Sequence, residues 1–79
     1  MSNASMYVSV DQIDGRHDVK ELKRELDTFA GVTSVSVNDK TDTIAVDFDT
    51  TAIQQERLQK RIEQLGFKIM HTRLENPVM

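Results

Sequence analysis

An α+β sandwich of order β-α-β-β-α-β is predicted by three observations in this sequence. Apolar residues alternate along four short stretches, the period of half-buried strands. Between the first pair and between the last pair, they recur three and four apart, the period of an amphipathic helix. A glycine, Gly31 or Gly66, follows each helical stretch at the place where helices commonly stop.

The first strand is expected over 6–12, with Val8 and Val10 on one face and Ile13 leading into a loop. From Asp18 the spacing of Val19, Leu22, Leu26 and Phe29 gives one helical face, and Lys20, Glu21, Lys23, Arg24 and Glu25 cover the rest. Val32, Val35 and Val37 return to strand period. The polar turn 38–42 then leads into Ile44, Val46 and Phe48, which completes a hairpin. Leu58, Ile62 and Leu65 mark the second helix, and Phe67, Ile69 and His71 the last strand. Four alternating strands and two helices with one apolar stripe each suit a four-stranded antiparallel sheet with both helices on one face. That is the ferredoxin-like arrangement. It brings the first loop, the 38–43 hairpin and the 65–68 junction to one end of the molecule.

At 79 residues the chain holds one small domain, expected over 6–72. Residues 1–5 read as an expression leader and 73–79 as a loosely held tail. There is no cysteine, which removes disulfides, thiolate metal sites and cysteine nucleophiles. The net charge of −3, with bases interleaved among acids, argues against nucleic-acid binding. Apolar runs are too short to span a membrane, and no signal peptide is visible, so a soluble cytoplasmic protein is expected. Catalysis is not expected: the loop histidine has no neighbouring nucleophile, and no phosphate-cradling glycine loop is present.

The segment 8-VSVDQIDGRHDVKEL-22 concentrates the remaining chemistry. Asp14, His17 and Asp18 lie within five residues and offer an oxygen and nitrogen set suited to Zn, Ni or Mn. The structural account of the same residues is helix capping: Asp18-x-x-Glu21 has the form of a capping box, and Asp14 is the alternative cap. Asp39, Asp42, Asp47 and Asp49 are read as solvated carboxylates of the hairpin, and His71 as an exposed strand or tail residue.

Taken in register, these pieces resemble the heavy-metal-associated domain. That family occurs as free copper chaperones and as N-terminal modules of copper- and zinc-transporting P-type ATPases. The resemblance rests on Val8-x-Val10-x-x-Ile13, Ala30-Gly31-Val32, Val35-x-Val37-Asn38, Ile44-x-Val46-x-Phe48-Asp49 and Leu65-Gly66-Phe67. It implies the ferredoxin-like fold, a role in metal binding or metal transport, and a metal-transport ATPase or similar protein as partner. It also implies that Phe67 packs beneath the metal loop. The family grips Cu(I) or Zn(II) with a Cys-x-x-Cys pair, and the corresponding positions here are Gly15 and Asp18. Cu(I) is therefore not expected, because its selection depends on soft sulfur. Two functions stay open: weak divalent-metal binding through the 14–18 loop, or protein docking without metal. The docking face implied by the resemblance comprises Ile13, Arg16, His17, Lys20, Lys23 and Arg24.

Overall fold

The computed structural model describes residues 3–75. Its elements are β1 (Asn3–Val10), α1 (Gly15–Asp27), β2 (Val32–Asn38), β3 (Thr43–Asp49), α2 (Gln55–Gln64) and β4 (Ile69–Glu75). The strands form one sheet in the order β2-β3-β1-β4, and every neighbouring pair is antiparallel. This is the predicted ferredoxin-like fold.

One-sided burial explains why the sheet needs both helices. Ala4, Met6, Val8 and Val10 on β1, with Ile44, Val46 and Phe48 on β3, are buried, while the residues between them stay partly open. Leu22 and Leu26 from α1, and Leu58 and Ile62 from α2, close over that face. Ile13 from the β1–α1 loop and Phe67 from the α2–β4 junction are buried in the same core at 4% and 7% exposure. Each such side chain contributes about 1.5–3 kcal/mol by leaving water. The two central strands carry the sheet's fully buried residues, whereas the edge strands β2 and β4 carry none.

Several boundaries move from their expected places. β1 begins at Asn3 and ends at Val10, so residues 3–5 of the expected leader belong to the sheet, with Ala4 only 1% exposed. Residues 1 and 2 lie outside the described set. β4 begins at Ile69 and runs to Glu75. A bulge between the pairs Ser9↔His71 and Val10↔Ile69 shifts its register and turns Met70 out to 61% exposure. Residues 73–75 are thus strand rather than tail, and 76–79 lie outside the described residues. Gly31 follows α1 at φ +99, and a Cβ there would sit 2.7 Å from Ala52 Cβ, so only glycine fits this close approach.

Candidate metal centre

The β1–α1 loop is tied down by carboxylates rather than by apolar contacts alone. Val10 N–H donates to the Asp42 carbonyl at 3.0 Å, and Ile13 N–H donates to Asp42 Oδ1 at 3.0 Å. Asp42 adopts φ +54, a left-handed conformation that aspartate tolerates better than most residues, to present both oxygens. On the other side, Asp11 N–H donates to the Lys68 carbonyl at 3.0 Å, and Lys68 N–H returns to Asp11 Oδ1 at 3.2 Å. The hairpin, the loop and the α2–β4 junction therefore meet at one end, as expected. Asp11 and Asp42 hold them there: Asp11 does not stand out in the sequence, and Asp42, expected as a solvated carboxylate of the hairpin, is instead partly buried and accepts a backbone donor of the loop.

The helix start differs from expectation. α1 begins at Gly15 with Asp14 as N-cap, so Asp18 lies inside the first turn and the Asp18-x-x-Glu21 box does not form. Instead Asp18 Oδ2 accepts the Asp14 backbone N–H at 2.8 Å, satisfying a backbone donor just ahead of the helix. The Asp14 carboxylate does not cap either; its Oδ1 accepts from Gln12 Nε2 at 2.6 Å. Gly15 takes φ +68, the backbone turn that lets the chain enter the helix so abruptly.

This arrangement redraws the expected ligand set. His17, Asp18 and Glu21 offer ligand atoms within 4.8 Å of one another, and among the described residues they are the group of three that does so. Asp14 is not in it, because its side chain is held back toward Gln12. Glu21 enters because positions four and three apart on a helix share a face, which brings it beside His17 and Asp18. His17 is exposed, while Asp18 and Glu21 are partly buried. The donors at this end are hard oxygen and one imidazole nitrogen: Gly15 offers no side chain and Asp18 offers oxygen where the resemblance implied thiolates.

The expected docking face is also altered. Ile13 is buried and contributes to the core, not to a surface. Arg16, Lys20, Lys23 and Arg24 are exposed along α1. Of these only Arg24 has an ion-pair partner among the described residues, Glu25 at 3.8 Å. His71 is exposed on β4, paired across the sheet with Ser9, and is not among the clustered ligand atoms of the loop end.

The sequence profile described as the heavy-metal-associated domain matches residues 8–68. The chain belongs to the heavy-metal-associated domain family. No curated protein matches the sequence significantly. Among solved structures, the CsoZ metallochaperone superposes with a TM-score of 0.80 at 20% identity, covering 87% of this chain and 99% of that one. Oxidized MerP from Ralstonia metallidurans gives 0.77 at 20% identity, with the same coverages of 87% and 99%. The N-terminal domain of a potential copper-translocating P-type ATPase from Bacillus subtilis, solved in its Cu(I)-loaded state, gives 0.75 at 17% identity and covers 96% and 88%. At these identities the likeness establishes the heavy-metal-associated fold. Among the described residues no helix is long and apolar enough to cross a membrane.

Proposed function

We propose that this heavy-metal-associated domain is a metal-handling module for divalent ions with nitrogen and oxygen ligands, using His17, Asp18 and Glu21, and that it does not carry Cu(I). The observation that carries this reading is the convergence of those three side chains within 4.8 Å on the first turns of α1. An imidazole and two carboxylates suit Zn(II), Ni(II) or Mn(II) and lack the sulfur that selects Cu(I). Asp18 already spends one oxygen on the Asp14 amide, which orients its carboxylate and leaves the other oxygen for an ion. Three ligands on an open helix face leave an ion partly hydrated and quick to exchange, a property suited to hand-over and not to storage. The module binds and passes an ion; no catalytic step is assigned to it.

Titration with Zn(II), Ni(II) and Mn(II), followed by amide NMR, tests the reading. Saturable shifts centred on 17–21, lost in His17→Ala, are expected. Unchanged spectra up to millimolar ion would overturn it.

A second reading is favoured by the exposed cations of α1. Arg16, Lys20 and Lys23 stand four and three apart, on one side of the helix, and have no ion-pair partner among the described residues. Such a stripe steers encounter with an acidic surface, and the family points to a soluble domain of a metal-transport ATPase as the partner. Lys23→Glu should slow that association and reduce its salt dependence, with the fold intact. An association rate indifferent to Lys23→Glu and to salt would exclude this stripe as the docking face.

A further inference from the structure

At the opposite end of α1 from the metal loop, the two helices leave a trough with a different chemistry. A cleft of about 500 Å³ is lined by Thr28, Phe29, Arg57, Lys60, Arg61 and Gln64. A second, of about 340 Å³, is lined by residues 50–54 and again by Arg57. The two share Arg57, so they continue one another along the start of α2.

The cations of this trough are unequally engaged. Arg61 is paired with Glu25 on α1 and also donates to Gln64 Oε1 at 3.3 Å. Arg57 and Lys60 are exposed and have no carboxylate partner among the described residues. The Arg57 guanidinium stands 5.9 Å from the centroid of the half-buried Phe29 ring, a cation–π arrangement that holds it at the cleft wall. In a chain of net charge −3, two uncompensated cations beside an aromatic wall form a site for negative charge.

Spacing decides which kind of anion fits. Arg57 and Lys60 are one helical turn apart, so their Cβ atoms are separated by about 5–6 Å. Carboxylates on alternate residues of an extended peptide are separated by about 6.6 Å, close to that spacing. A single small anion would use one of the two clefts, whereas an extended segment can follow both through Arg57. We infer that the trough between α1 and α2 binds an extended acidic peptide segment of a partner protein, with carboxylates at alternate positions on Arg57 and Lys60, beside the Phe29 ring that Arg57 covers. This site is separate from the metal loop and from the α1 stripe, and it stands whether or not an ion is bound.

The test uses the full chain and a short synthetic peptide of alternating Glu and Ser, with inorganic phosphate as a second probe. Saturable amide shifts are expected at Thr28, Phe29, Arg57, Lys60 and Gln64 of the first cleft and at 51–54 of the second. The Arg57→Ala/Lys60→Ala double variant should weaken binding roughly tenfold. Lys40→Ala/Lys68→Ala, which removes the same charge from the loop end, should leave it within about twofold. Amide spectra of each variant establish that the fold is retained. Equal weakening by both double variants would mean that only net charge is sensed and would overturn the site. So would shifts confined to residues 15–24 of α1, or an equal response to phosphate alone.

Discussion

Asp42 does more for this fold than its place in a polar turn suggests. Its carboxylate accepts the part-buried Ile13 N–H, and its carbonyl accepts Val10 N–H, so one residue fixes where β1 ends and the loop begins. Asp42→Ala leaves the Ile13 donor unsatisfied and puts alanine at φ +54. A loss of about 1–3 kcal/mol in urea unfolding is expected. Asp42→Asn keeps an acceptor oxygen and tolerates the left-handed backbone, so it should recover most of that loss. Equal destabilisation by the two would sink the assignment. Asp49 makes a second, pH-dependent case. The Thr51 hydroxyl at 2.6 Å, and then the Thr51 backbone N–H at 2.9 Å, hold its carboxyl below the ordinary aspartate range. A depressed folded value means that its contribution is present above the unfolded pKa and is lost as pH falls through the folded one. Thr51→Val should raise the Asp49 titration toward the ordinary range by carboxyl NMR and flatten that acid-side loss. Nothing local in the sequence marks Asp11 or Asp42 as latches, because their partners lie 57 and 29 residues away. The cluster of His17, Asp18 and Glu21 was half legible for a related reason. Proximity in sequence brought Asp14 forward, but side-chain direction decided the set, and Gln12 holds Asp14 out while the helix brings Glu21 in.

Among the elements, β1 is the one whose extent matters most for stability. Ala4 pairs with Phe48 and is buried, and Ser5 pairs with Asp47 and donates its hydroxyl to that carboxylate at 2.5 Å. Ser5 also pairs with Glu75 on β4, so these residues join both neighbours of the strand. Removing residues 1–5 should therefore cost about 2–3 kcal/mol, from lost ladder bonds and a small buried area. The measurement is the urea midpoint of a chain starting at Met6; an unchanged midpoint would show that these residues add nothing. Composition concealed this: Asn3-Ala4-Ser5 has low strand propensity, and pairing with β3 overrides it. The hairpin and α2 were more legible, because Val35, Val37, Ile44, Val46 and Phe48 keep strict period, and Leu58 and Ile62 lie on one face. β4 slipped because its bulge at Met70 breaks the alternation that a reader of the sequence depends on.

For the whole molecule, the question is whether this fold depends on metal. Its core is complete without one: fourteen buried apolar residues, from Ala4 to Phe67, form one cluster spanning the sheet and both helices. The loop that binds an ion elsewhere in the family is closed here by Asp11, Asp18 and Asp42 through backbone hydrogen bonds. A chelator should therefore leave thermal unfolding unchanged. An ion that binds His17, Asp18 and Glu21 in the folded chain alone must then raise stability by mass action, by about 2.7 kcal/mol at a hundred times its dissociation constant. For a domain of this size, each kcal/mol corresponds to about 4–8 °C. The melting temperature should thus rise by roughly 10 °C or more under saturating Zn(II) or Ni(II), and His17→Ala should abolish the rise. A chelator that lowered the melting temperature of the chain as purified would contradict a metal-independent core. A rise that survived His17→Ala would place the ion elsewhere. A melting temperature flat in both metals would remove the metal-handling reading while leaving the fold, and the acidic-peptide trough, untouched.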